Sequence, residues 1–324
     1  MNPSRKVFDD VSQLIGSRDN PTPLVRLRKL PSPGSGVIFA KLEWMNPFGS
    51  IKDRTARYLL EGLRRDGRLA GKQIVEPTSG NTGIAIAALA NLLGVPCTIT
   101  IPSGAPEEKI AMLRLLGAEV WPTPDDLCPI DHPKDGAIAL ARTFVTGEST
   151  RDRYVMPNQY ENPENVRAHY EKTGPEIWDQ TEGRVTHFFA GYGTCGTITG
   201  VAKYLKEQNP AVQIIAIEPE KGHRLSGLKN FQESKKPIIL DDSLIDKIVR
   251  VPDGPAYGTA IRLAREESLM AGPSTGAIVW AALQEELPAG AVAVCISPDN
   301  AFKYATHYAP LVANDGIPTV AVTA

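Results

Sequence analysis

The chain has only four cysteines in 324 residues, Cys97, Cys128, Cys195 and Cys295, and no CxxC pair among them. That scatter excludes a disulfide framework and a thiolate zinc site, and no other metal site is expected; a reducing cytoplasm fits best. A dominant charge is also missing, because 35 Lys and Arg stand against 37 Asp and Glu, a formal net charge of -2, with no long run of either sign. Neither nucleic acid nor an anionic membrane finds an electrostatic footprint here, so a small molecule is the expected partner. Residues 1 to 10 carry Arg5, Lys6, Asp9 and Asp10 where a signal peptide would be apolar. No later segment reaches the roughly eighteen apolar residues of a membrane span, so the chain is expected to be soluble.

What is present is enough apolar material for two cores. At 35.0 kDa and 42% hydrophobic residues, the chain exceeds the size at which a single core stops growing. Short β-branched runs at 36–42, 72–76, 97–101, 118–121, 186–190, 213–218, 247–251 and 291–297 read as strands. Helical spacing occupies 55–65, 81–93, 107–116, 162–178, 197–207, 257–270 and 275–287. Strand followed by helix, repeated this often, predicts an α/β fold with a mostly parallel sheet and helices on both faces. Two polar segments, Pro122 to Lys134 and Gly222 to Ser243, read as binding loops or surface insertions.

Two loops carry the chemistry. Gly191-Tyr192-Gly193-Thr194-Cys195-Gly196-Thr197 joins a strand to a helix. Its glycines admit close backbone approach by an anion, its threonines add hydroxyl donors, and the helix aims its positive end at the same point. A tight turn needs glycine for packing alone, and the run also loosely resembles a dinucleotide fingerprint, with Glu218 near the offset of the ribose-binding acid. Thr78-Ser79-Gly80-Asn81-Thr82 likewise opens a helix, whose first amides would bind a carboxylate. Helix capping accounts for one of its polar residues and leaves the others unexplained. Lys52, in Gly49-Ser50-Ile51-Lys52-Asp53-Arg54, supplies an amine that becomes nucleophilic once its surroundings depress its pKa or hold it as a Schiff base.

In order and spacing these segments, with Pro23-Leu24-Val25-Arg26-Leu27, Lys41-Leu42-Glu43, Gln159-Tyr160-Glu161-Asn162-Pro163 and Pro298-Asp299-Asn300, resemble the cysteine synthase and cystathionine beta-synthase family of fold type II pyridoxal 5'-phosphate enzymes. The resemblance implies two three-layer α/β lobes with the active site between them: a small substrate-binding lobe, 46–160, and a large cofactor-binding lobe, 1–45 with 161–324. It implies that Lys52 forms the internal aldimine, that Gly193, Thr194, Cys195, Gly196 and Thr197 hold the cofactor phosphate, and that Asn81 meets the pyridine hydroxyl. Thr78, Ser79, Gly80, Thr82 and Gln159 would hold the substrate carboxylate. Asn300 would face the ring nitrogen, with Asp299 as its rival.

The implied reaction is β-replacement on O-phosphoserine or O-acetylserine by sulfide, through an aminoacrylate, to give L-cysteine. Thr194 and Thr197 favour replacement over deamination, because dehydratases of this fold type carry a run of glycines there. Lys229, in Gly227-Leu228-Lys229-Asn230, stands where phosphoserine users resemble one another in an arginine; His223 and Arg224 are close by, and a solvated loop lysine is the competing reading. Cys195 stands where the family has glycine, which would tighten the loop or make it oxidation-sensitive. The absence of a haem-binding extension or tandem regulatory domain sets the chain apart from animal-type cystathionine beta-synthases, although a cystathionine-forming activity stays open. A homodimer is implied, with serine acetyltransferase or a sulfur carrier as a protein partner. A non-catalytic binding role is the alternative of another class, and the intact Lys52, Asn81 and Gln159 weigh against it.

Overall fold

The computed structural model describes residues 7–124 and 136–313. Its strands are β1 (Leu24–Arg26), β2 (Val37–Leu42), β3 (Gln73–Pro77), β4 (Cys97–Pro102), β5 (Glu119–Thr123), β6 (Tyr154–Val155), β7 (His187–Gly191), β8 (Gln213–Pro219), β9 (Lys247–Val251) and β10 (Val292–Ser297). They form two sheets, one of six strands ordered β1-β2-β10-β7-β8-β9 and one of four ordered β5-β4-β3-β6. Every pairing is parallel except that of β1 with β2. Parallel strands are buried on both faces, which explains why β4 and β10 are apolar or small at nearly every position and bury every residue. Most of the Pro122 to Lys134 segment lies outside the described residues, and Pro122 and Thr123 belong to β5.

The helices are α1 (Lys52–Arg65), α2 (Asn81–Leu93), α3 (Glu107–Leu115), α4 (Ala137–Thr146), α5 (Glu164–Ala168), α6 (Gly174–Gln180), α7 (Gly196–Gln208), α8 (Asp253–Glu267), α9 (Pro273–Gln284) and α10 (Ala305–Val312). A π-turn at His169–Thr173 joins α5 to α6, so the single helix expected over 162–178 is interrupted at its centre. Each sheet has its own core. Phe188, Phe189, Ile214, Ile217, Val294 and Ile296 anchor the larger one; Ile74, Ile99, Ile101, Leu60, Leu63 and Leu113 anchor the smaller. Ile15, from the amino-terminal segment, packs into the smaller core.

A buried ionic cluster fastens the start of α1 to the larger sheet. Arg54 donates from Nε to Glu43 Oε2 at 2.6 Å and from Nη2 to Glu176 Oε2 at 2.8 Å. Lys41 Nζ, on β2, reaches Glu176 Oε2 at 2.8 Å, and Thr22 Oγ1 donates to Glu43 Oε1 at 2.7 Å. All four charged side chains are at most 1% exposed. Burial alone would raise the Glu43 carboxyl, but the Arg54 and Lys41 charges hold it well below the usual carboxylate range. Gly16 must be glycine here, since a Cβ would lie 2.3 Å from Arg54 Nη2. Arg54→Ala takes away the guanidinium bonded to buried Glu43 and leaves Glu176 with Lys41 alone as its cation, and should cost about 3 to 5 kcal/mol. Urea denaturation should show this as a lower midpoint with unchanged slope; a loss under 1 kcal/mol would mean the cluster contributes little.

Candidate active site

Four helices begin at the walls of one cavity. It is lined by Lys52, the first residue of α1; Asn81, the first of α2; Cys195 and Thr197 at the start of α7; and Ser274 in the first turn of α9. At none of the four does the cap residue bond a helix amide through its side chain, although in α1 Ser50 Oγ accepts the Lys52 amide at 3.2 Å. The first amides of α2, α7 and α9 therefore lack the usual side-chain partners, and the positive ends of the helices line the cavity, a setting that favours an anionic group. The capping explanation for Ser79 and its neighbours is thereby removed, because the position before α2 is Gly80 at φ +130°. A Cβ at Gly80 would also lie 2.5 Å from Lys109 Cδ.

Lys52 Nζ donates to Thr194 Oγ1 at 3.0 Å. Burial pushes its ammonium down to about 8, so a useful fraction is free amine near neutral pH. Asn165 ties the site together. Its Nδ2 reaches Thr194 Oγ1 at 3.1 Å and the Gln159 carbonyl at 2.7 Å, and its Oδ1 accepts from Thr55 Oγ1. Gly196 leaves room for it, since a Cβ there would lie 2.1 Å from Asn165 Oδ1; a Cβ at Gly193 would lie 2.6 Å from the Gly227 carbonyl. His169, at the π-turn, sets Nε2 3.2 Å from both Thr197 Oγ1 and Thr55 Oγ1. Burial, and then the Lys52 charge, pushes it down to about 3, so the ring is neutral.

An adjoining cavity brings together Lys52, Ser79, Asn81, Thr82, Gln159, Thr194 and Lys229. Thr82 Oγ1 donates to Gln159 Oε1 at 2.6 Å, and Gln159 Nε2 donates to the Pro77 carbonyl at 3.0 Å. Glu76, buried in β3, holds that turn by accepting the Asn158 and Gln159 amides at 2.8 and 2.9 Å. Thr78 sits behind the loop, accepting the Gly80 amide at 3.0 Å, and does not line this cavity. Lys229 is 7% exposed, with Nζ 5.4 Å from the Tyr160 ring centroid. It is therefore a cavity-wall residue and not a solvated loop lysine. His223, Arg224 and Lys229 also line a wider cavity of about 910 Å³ at the entrance.

Cys195 occupies a left-handed conformation, φ +66°, in which glycine would be unstrained. Burial pushes its thiol up to about 12, which leaves little of the thiolate that oxidants attack. The two residues weighed for the ring nitrogen part company. Past the end of β10, Asp299 bridges to Ser50 and Asn300 to Ala271. Asp299 lines the cavity at the helix starts; Asn300 does not. The Asp299 carboxylate turns to Asn81 and Tyr304. Ser274, which the sequence reading did not single out, lines the same wall and spends its hydroxyl on no partner among the described residues. Its signal was Gly272-Pro273-Ser274-Thr275-Gly276, a third small polar run opening a helix.

A glycine-lined loop opening an uncapped helix and facing a buried lysine of lowered pKa is a donor set that fits a phosphorylated aldehyde cofactor, and the chain belongs to the family of pyridoxal-phosphate dependent enzymes, which it matches over residues 16–299. Among the relatives, the cysteine synthase of Aquifex aeolicus (strain VF5) is 40% identical over 314 residues, covering 94% of this chain and 93% of that one. The cysteine synthase of Staphylococcus aureus (strain Mu50) is 36% identical over 312 residues, covering 93% and 96%. An O-ureido-L-serine synthase crystal structure superimposes with a TM-score of 0.85 at 31% identity, covering 96% of this chain and 98% of that one. The protein is thus a pyridoxal-phosphate-dependent enzyme of β-replacement on serine derivatives. No helix among the described residues is long and apolar enough to cross a membrane.

If the Lys52 amine captures the cofactor's aldehyde, the rate of uptake by apoprotein should rise about tenfold per pH unit below 8 and level off above it. Stopped-flow absorbance measures this. A rise continuing to pH 10 would point to an ordinary, exposed lysine.

Proposed function

We propose that the enzyme forms L-cysteine from O-phosphoserine and sulfide, with O-acetylserine as the rival donor. The observation that carries this reading is Lys229, a buried cation on the same cavity wall as Lys52, Ser79, Thr82 and Gln159. An ammonium held there favours a dianionic leaving group over a neutral acetyl group.

Roles follow from placement. Gly193, Thr194, Cys195, Gly196 and Thr197, with the amino terminus of α7, hold the cofactor's phosphate. Ser79, Thr82 and Gln159, with the amino terminus of α2, hold the substrate carboxylate, and Thr78 braces the loop from behind. Ser274, in place of Asn300, faces the ring nitrogen, and a neutral hydroxyl there leaves that nitrogen unprotonated. When bound, the cofactor supplies an electron sink. Lys52 Nζ takes the proton from the substrate's α carbon, and its lowered pKa suits a general base near neutral pH. Lys229 draws the departing phosphate to its side of the cavity. The lobes, 46–160 and 1–45 with 161–324, would close over the substrate to exclude water. Two separate hydrophobic cores support that division, apart from Ile15, which packs in the smaller core, and Ile51, which packs in the larger. A cytoplasmic homodimer belongs to the same proposal.

A larger nucleophile, such as the thiol of a cystathionine-forming reaction, is the second reading; the entrance cavity of about 910 Å³ favours it. Purified protein given phosphoserine, acetylserine or serine, each with sulfide or homocysteine, separates these readings by product. Lys229→Ala should lose roughly 1.5 to 3 kcal/mol of charge-assisted binding, about ten- to a hundredfold in kcat/KM for phosphoserine. Its kcat/KM for acetylserine should barely change. Equal losses with both donors, or none with either, would return acetylserine to first place.

A further inference from the structure

Asn81 lies on both cavities, and its amide is gripped from two sides. Nδ2 donates to Asp299 Oδ2 at 2.7 Å, and Oδ1 accepts from Lys303 Nζ at 3.2 Å. Exchanging the two ends of an amide is sterically neutral, so neighbours must decide which way it faces. Here both neighbours are one-sided: a carboxylate only accepts, and an ammonium only donates. Turning the amide over would oppose oxygen to oxygen and nitrogen to nitrogen at once.

Neither neighbour is free to follow. Asp299 is 1% exposed, and its Oδ2 also accepts from Tyr304 Oη at 2.6 Å. Lys109 Nζ, from α3, stands 3.7 Å from that oxygen and donates to Tyr304 Oη at 2.8 Å. Gly272 leaves room for this carboxylate, since a Cβ there would come within 2.2 Å of Asp299 Oδ1. Lys303 Nζ is fixed by the Phe48 carbonyl at 3.0 Å.

We infer that Asp299 and Lys303 are positioning residues that lock the orientation of the Asn81 amide so that the second N–H of Nδ2 is the hydrogen-bond donor it offers the cavity. A donor there stabilises a deprotonated oxygen. This rests on the reading that Asn81 meets the cofactor's ring hydroxyl, and it adds that the oxygen is held in its anionic form by residues that do not touch it.

The test uses Asp299→Asn and Lys303→Met in the full chain. Two quantities are read: the affinity of the apoprotein for pyridoxal phosphate, and the ratio of visible ketoenamine to near-ultraviolet enolimine absorption in the bound cofactor. Both variants should lower that ratio, and Asp299→Asn should weaken affinity roughly tenfold, the effect of one charge-assisted hydrogen bond. A purely structural role would lower the melting temperature and leave the ratio alone, which would overturn the inference. Should both variants fail to fold, neutron diffraction on the unsubstituted protein decides: deuterium on the Asn81 atom facing Asp299 supports the lock, and deuterium on the atom facing Lys303 refutes it. If the unsubstituted protein took up no cofactor, the functional reading itself would be what failed.

Discussion

Arg54 is the fixed point of this molecule. Two residues before it in the chain stands Lys52, and the guanidinium that reaches Glu43, Glu176 and the Gly16 carbonyl leaves the first turn of α1 no freedom to shift. The cluster draws on β2, the turn after it, α1, α6 and the amino-terminal segment, so four separate pieces of chain must be in register before the lysine can face Thr194. Hydrophobic residues of the same volume could stabilise such a junction equally well. What they would not provide is direction, since a planar fork bonded to two carboxylates has one orientation.

From that point the site is assembled by helix starts. α1, α2, α7 and α9 each open on the cavity, the last three with no side-chain cap, which leaves backbone donors without side-chain partners there and concentrates positive potential in a small volume. Asn165 and His169 then join the Gly193 to Thr197 loop to α1 and to the turn bearing Gln159, which in turn bonds Thr82, so the two small-residue loops share a set of buried hydrogen bonds. The π-turn at His169 belongs to this arrangement, because His169 Nδ1 reaches Thr173 Oγ1 at 2.9 Å across it.

Elements with strong patterns were legible in the sequence. The eight runs read as strands all became strands, and α2 has the bounds its spacing predicted. What escaped notice was held by tertiary context. β1 has three residues and β6 two, each too short for a pattern to show, and both are fixed by pairing at a sheet edge. α4 buries only Ala137, Ile138 and Ala141, a stripe too narrow to announce a helix. The π-turn left no trace, because one extra residue in a turn shifts the helical period too little to see over 162–178. In the site, the loops were legible because glycine and small polar residues crowd before helices. Ser274 was hidden behind a proline that reads as an ordinary first-turn residue, and Asn165 and His169 look like any polar residues on a helix. That Asp299 lines the cavity and Asn300 does not depends on how the chain leaves β10, which adjacent positions in a sequence do not reveal.

The account stands on Lys52 as the one amine that carries the cofactor. Borohydride reduction of the cofactor-loaded protein, followed by peptide mapping, tests this directly. The account predicts a single modified peptide with the label on Lys52. A label on Lys41, Lys109, Lys229 or Lys303, or one spread over several lysines, would contradict it.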